Sequence, residues 1–118
     1  MPTWQSTMHL YPIDGAVHDV DASDTAWAYR DANWGSVFAG VDNDPANAEK
    51  IKRWTVDYFE ALHPYSAGGA YVNMMMDEGQ ERVRASYGPN YDRLARIKAV
   101  YDPENLFRIN QNIAPAGS

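Results

Sequence analysis

Cysteine is absent from the 118 residues, which excludes disulfides, thiolate metal sites and a thiol nucleophile. Basic runs are absent too. Sixteen acidic residues stand against ten basic ones, for a net charge of −6. A polyanion such as duplex DNA needs a basic face, so nucleic acid is not an expected partner. No apolar run approaches the ~20 residues that span a bilayer. Met1-Pro2-Thr3-Trp4 carries neither a basic segment nor an apolar one of the secretory kind. The expectation is a soluble, cytoplasmic protein with no membrane contact. His9, His18 and His63 are scattered, with no second histidine at ligand spacing, so no metal is expected. A Gly-x-Gly-x-x-Gly loop, a P-loop and a Gly-x-Ser-x-Gly elbow are all missing; Gly68-Gly69 alone reads as a turn.

What is present is apolar and aromatic. Hydrophobic residues make up 45% and aromatic ones 13%, with four Trp, eight Tyr and three Phe. That is enough for a modest core in a single domain over residues 1–118, and the aromatic load suits either a core short of aliphatic residues, the commoner use, or a pocket for a flat ligand. Residues 4–11 alternate, with Trp4, Ser6, Met8 and Leu10 on one face, and read as a strand ended by Pro12. Asp14-Gly15 is a turn signal, and Ala16–Val20 reads as a short returning strand. Thr25–Arg30 is expected to be extended, and Asn33–Val41 to be another strand.

Asp44-Pro45 opens a helix, the carboxylate capping free N–H groups and Pro45 taking the first helical position. Ile51, Trp54, Tyr58 and Leu62 recur at helical spacing beside Thr55 and Phe59, and His63-Pro64 stops the run. Tyr71–Met76 reads as a strand, Gln80–Tyr87 as a short helix, and Asn90–Tyr101 as a second one with Leu94, Ile97 and Tyr101 on its face. Asp102-Pro103 ends it, and Glu104–Ser118 lacks a helical period and reads as an ordered arm. The fold class is α+β, an antiparallel sheet with two to three helices packed on it.

Tyr71 is the position that could carry chemistry. A phenol is a poor base at neutral pH unless a neighbour relays its proton. The alternative is a half-buried strand tyrosine with a hydrogen-bonded hydroxyl. Strand period puts Asn73 on the same face, where its amide could meet a ligand or satisfy a neighbouring strand. Met74, Met75 and Met76 read as core packing.

Four motifs then occur in order: Gly68-Gly69-Ala70-Tyr71-Val72-Asn73; Tyr87-Gly88-Pro89-Asn90-Tyr91-Asp92-Arg93-Leu94 with Lys98; Tyr101-Asp102-Pro103-Glu104-Asn105-Leu106-Phe107; and Asn110-Gln111-Asn112-Ile113. Together they resemble the closing segment of the berberine-bridge-enzyme-like flavoproteins, FAD-linked oxidases of the vanillyl-alcohol-oxidase superfamily. The resemblance extends back toward Trp4.

That resemblance implies a substrate-domain and C-terminal segment of an enzyme that moves hydride from a hydroxyl- or amine-bearing substrate to flavin. Tyr71 matches the proton-accepting tyrosine of sugar- and anthracycline-oxidising members. Asn73, Asn110 and Gln111 match positions near the cofactor. Two departures accompany it: Met74 stands where many members have an aromatic residue, and nothing in the chain resembles the FAD-binding domain. FAD is then expected in the complete enzyme and not on this chain alone. The expected partners are a flavin-binding domain or subunit, or a second copy in a dimer, together with a small organic substrate. The alternatives are a stand-alone small-molecule-binding module and a cofactor-free enzyme using Tyr71. For the block around Tyr87, a structural reading is also at hand: Gly88 for an unusual backbone angle, Asn90 as helix cap, Leu94 as packing, Arg93 and Lys98 as partners of acids.

Overall fold

The computed structural model describes residues 1–117 and divides into two compact units, Met1–Asp14 with Ala32–Ser66, and Gly15–Asp31 with Ala67–Ser118. The last residue of the expected arm, Ser118, lies outside the described residues.

The first unit is an antiparallel strand pair and one long helix. Strand β1 (Thr7–Pro12) pairs with β2 (Trp34–Ala39) in the register Met8 to Phe38 and Leu10 to Ser36. Ser6, fully buried, closes one end: its hydroxyl accepts from Val41 N–H at 3.2 Å. Pro45 begins a single 3-10 turn, and Asp44 accepts from Ala46 N–H at 2.9 Å, as the capping signal requires. The helix proper, α1 (Ala48–Leu62), turns Ile51, Trp54, Thr55, Tyr58, Phe59 and Leu62 to its half-buried side, which is the stripe the 3.6 period marks. Tyr58 lies against Phe38 at 4.9 Å between ring centroids and against Trp54 at 5.4 Å, so aromatic packing fastens helix to strand. At Gly40 the helix comes so near that an added Cβ would stand 2.1 Å from Ile51 Cγ2.

In the second unit two helices, α2 (Gln80–Tyr87) and α3 (Tyr91–Tyr101), enclose a core of Val83, Tyr91 and Ala95, with Met75, Tyr87 and Ile113 packed on it. The α+β class holds, with a sheet of two strands. The two further strands expected from the sequence are corrected. Gly15–Val17 is a 3-10 turn, entered at a glycine with φ +72° and closed by His18 N–H to the Gly15 carbonyl at 3.0 Å. Val72–Met74 is likewise a 3-10 turn, with Met74 N–H bonded to the Tyr71 carbonyl and Met75 N–H to the Val72 carbonyl rather than to a neighbouring strand. Thr25–Arg30 carries no regular element.

On α3 the inner face is Tyr91 and Ala95, while Ile97 and Tyr101 are exposed. Asn90 is buried but does not cap α3; its amide donates to the carbonyls of Ala22 at 2.7 Å and Thr25 at 3.1 Å. Gly88 takes φ +54° and ψ −136°, which a side chain would strain. No helix among the described residues is long and apolar enough to cross a membrane.

Candidate functional site

The second glycine of Gly68-Gly69 is where the chain passes a ring. A Cβ on Gly69 would stand 2.0 Å from Cε2 of Tyr29, whose hydroxyl donates to the Ala85 carbonyl. Gly68 has φ +86°, and its carbonyl accepts from Arg82 Nη1 at 2.6 Å. Arg82 itself pairs with Glu78, four residues earlier and ahead of α2. The pair of glycines therefore enters the next turn under a close ring contact at Gly69 and a hydrogen bond at Gly68.

That turn spans Tyr71–Met75. Met74 N–H donates to the Tyr71 carbonyl at 2.9 Å and Met75 N–H to the Val72 carbonyl at 3.3 Å. The turn brings Tyr71 and Asn73 together: Asn73 Nδ2 donates to the Tyr71 hydroxyl oxygen at 3.0 Å. A strand period would set these side chains side by side; they meet through a 3-10 turn instead. Tyr71 is 53% exposed and its hydroxyl is hydrogen-bonded, but it caps a turn, which corrects the strand expected there. Of the three methionines only Met75 packs on the core, its Sδ accepting from the buried Ser86 hydroxyl at 3.2 Å, while Met74 and Met76 are exposed.

Beside this turn lies a cleft of about 560 Å³ lined by Val72, Asn73, Met75, Tyr87, Ile109, Asn110 and Gln111. Three of the four candidate residues read from the sequence thus line one cleft, and the fourth, Tyr71, is hydrogen-bonded to one of them. Tyr87 is a wall residue that the sequence does not mark for chemistry. Burial, and then the neighbouring Tyr91, push its phenol above the usual range, so it stays a neutral hydroxyl in the cleft wall. In the sequence it opens the second motif and stands before Gly88-Pro89, the break that ends α2 at the cleft.

The arm is held by polar bonds. Asp102, 8% exposed, is gripped by Lys98 and accepts from the N–H groups of Leu106 at 2.8 Å and Phe107 at 3.1 Å. The Lys98 ammonium, followed by the two backbone donors, holds its carboxyl below the usual carboxylate range. Arg93, expected to meet an acid, donates to the Thr25 carbonyl instead. Asn110 adopts φ +58°, a left-handed turn that asparagine tolerates. Past it Gln111 Nε2 donates to the carbonyls of Met75 at 3.1 Å and Met76 at 3.0 Å.

Residues 70–114, which hold this turn, cleft and arm, match the family model described as berberine and berberine like. The chain is 32% identical over 114 residues to the FAD-linked oxidoreductase YgaK of Bacillus subtilis, covering 97% of this chain and 25% of that protein. It belongs to the berberine-bridge-enzyme-like family. To the berberine bridge enzyme-like 24 protein of Arabidopsis thaliana it is 35% identical over 101 residues, 71% of this chain and 17% of the relative. To the aclacinomycin-N/aclacinomycin-A oxidase of Streptomyces galilaeus it is 27% identical over 126 aligned positions, 92% of this chain and 23% of the relative. The chain spans about a quarter of the length of FAD-linked relatives from Dictyostelium discoideum and Bacillus subtilis.

FAD is the cofactor of that family, and the donor set of the cleft fits one edge of a flavin ring. Such an edge alternates carbonyl acceptors with N–H donors. The Asn110 side-chain amide makes no hydrogen bond among the described residues, and Asn73 Oδ1 and Gln111 Oε1 remain as acceptors. Val72, Met75 and Ile109 supply apolar wall for a flat ring.

Proposed function

We propose that this chain forms the substrate side of the active site of an FAD-linked oxidoreductase that oxidises a hydroxyl- or amine-bearing organic molecule. The observation that carries the reading is the Tyr71–Asn73 hydrogen bond of 3.0 Å at the edge of a cleft lined by Asn73 and Asn110. FAD, when bound, supplies the acceptor for the hydride leaving the substrate carbon. Asn73 and Asn110 would hold it through their amides.

Tyr71 handles the proton. Asn73 donates to one lone pair of the phenolic oxygen, which leaves the other lone pair and the hydroxyl hydrogen to act elsewhere. The oxygen takes the substrate's hydroxyl or amine proton on that lone pair while its own hydrogen passes to water, to which the half-exposed ring has access. The Asn73 amide also opposes negative charge on the oxygen as the proton moves. Tyr87, kept neutral, offers a donor to an acceptor atom of the bound molecule.

In this reading the partner is a flavin-binding region, present in the same protein or as a separate subunit. The exposed Leu106, Phe107 and Ile109 of the arm give that region an apolar surface to cover. The test is anaerobic stopped-flow reduction of the chain joined to such a region. Tyr71→Phe should slow flavin reduction by about 10²–10⁴-fold and change substrate binding little. Reduction at the wild-type rate would remove Tyr71 from the chemistry.

A further inference from the structure

We propose that Gln111 is a positioning residue that sets the Tyr71–Asn73 pair through the backbone of Met75 and Met76, and not a residue that donates to the cofactor. The proposal rests on Tyr71 acting on the substrate's proton. Both hydrogens of the Gln111 amide are already engaged, one on the Met75 carbonyl and one on the Met76 carbonyl. A primary amide has two donors, so none remains for a ligand.

Gln111 is itself immobilised from both sides. Upstream, Asp102 and Lys98 fasten the chain at Leu106 and Phe107. Downstream, Ile113 packs on the Val83–Tyr91–Ala95 core, and Ala116 N–H donates to the Ala95 carbonyl at 3.0 Å. The left-handed backbone at Asn110 lets the chain turn between these anchors and point Gln111 at the Met75–Met76 segment.

That segment completes the turn holding Tyr71. Met75 N–H closes the second of its two 3-10 bonds, and the Met75 sulfur lies 3.2 Å from the Ser86 hydroxyl, which also donates to the Arg82 carbonyl at 2.8 Å. Gln111 bonds to the carbonyl of Met75, whose N–H closes the turn, and to that of Met76, the next residue. Position matters here because acid–base transfer depends on reach within tenths of an ångström, and a displacement of about 1 Å can cost as much as ~10²-fold in rate.

Gln111→Glu has the same shape and at neutral pH lacks both donors; a carboxylate also repels the two carbonyls. In the flavin-loaded protein, flavin reduction should fall about tenfold with KM within about twofold of wild type. The effect should depend on Tyr71. In a Tyr71→Phe background Gln111→Glu should cost less than about twofold, because two residues acting through one group are not additive. A readout without cofactor or turnover is hydrogen exchange on the chain itself. Protection of the Met74 and Met75 amides should drop about tenfold in Gln111→Glu, while α1 amides keep theirs.

Should Gln111→Glu not fold, Gln111→Met removes the donors without adding charge and carries the same expectations. The same rate loss in both Tyr71 and Tyr71→Phe backgrounds, or unchanged protection at Met74 and Met75, overturns the proposal. If Tyr71→Phe alone leaves the rate intact, the underlying assignment fails instead, and the exchange result then stands as evidence about the turn only.

Discussion

The two units of the chain are built on different physics. In the first, β1, β2 and α1 are regular elements joined by apolar and aromatic contact, Phe38 on Tyr58 and Tyr58 on Trp54. In the second, short helices share a small core of Val83, Tyr91 and Ala95, and the turns and arm around it are tied by side chains bonded to backbone: Asn90 to two carbonyls, Asp102 to two N–H groups, Gln111 to two carbonyls. The candidate chemistry lies in the second unit. A packed helix tolerates sliding by a fraction of an ångström, whereas a bonded turn fixes a few atoms closely, and a site that moves protons needs the latter.

Substitutions can break that contrast. The largest expected stability effect is Asn90→Ala, which strands two carbonyls and should cost about 2–3 kcal/mol. Hydrogen exchange should show the loss in α2 and α3 and leave α1 protected; uniform loss would mean the units do not behave separately. Gly40→Ala is the matching probe of the first unit. Its Cβ would collide with Ile51, so about 2 kcal/mol should be lost, with the exchange pattern reversed. Asp44→Ala removes the bond to Ala46 N–H and should lower stability by about 1 kcal/mol in denaturant unfolding, with fraying confined to the start of α1.

The smallest effect sharpens the contrast through pH. Asp102 has its carboxyl held below its ordinary value, by Lys98 first. A depressed carboxyl contributes stability that is present above its unfolded-state pKa and is lost as pH falls through the folded one. Stability should therefore decline on the acid side of about pH 4. Asp102→Asn should flatten that acid limb in urea titrations taken at successive pH values, and an unchanged slope would assign the acid sensitivity to other carboxylates.

The same contrast explains how much is legible in the sequence. In the first unit apolar spacing is itself the structural cause, so the α1 stripe, its Asp44 entry and the Asn33–Val41 strand can be read directly. In the second unit the motifs mark residues that the structure brings together: Asn73, Asn110 and Gln111 line one cleft. The secondary structure of Tyr71–Met76 is not legible, because a run of six broken only by Asn73 does not reveal whether a partner strand exists. Asn90 has the pattern of a cap and is none, since a buried amide serving distant carbonyls leaves no local signal. Tyr87 escapes notice as part of the cleft for the same reason: only tertiary packing puts it there. At Gly69 the sequence marks a turn, but the ring of Tyr29 that requires the glycine lies far away in the chain.

On this reading chemistry belongs to one phenol in the bonded turn and to none in the packed helix. Tyr71→Phe and Tyr58→Phe each delete one hydroxyl and keep the ring. Measured side by side as anaerobic flavin reduction in the flavin-loaded protein, Tyr71→Phe should be slower than wild type by about 10²–10⁴-fold and Tyr58→Phe within about twofold. Equal rates for the two variants would leave the bonded turn with no chemical role of its own.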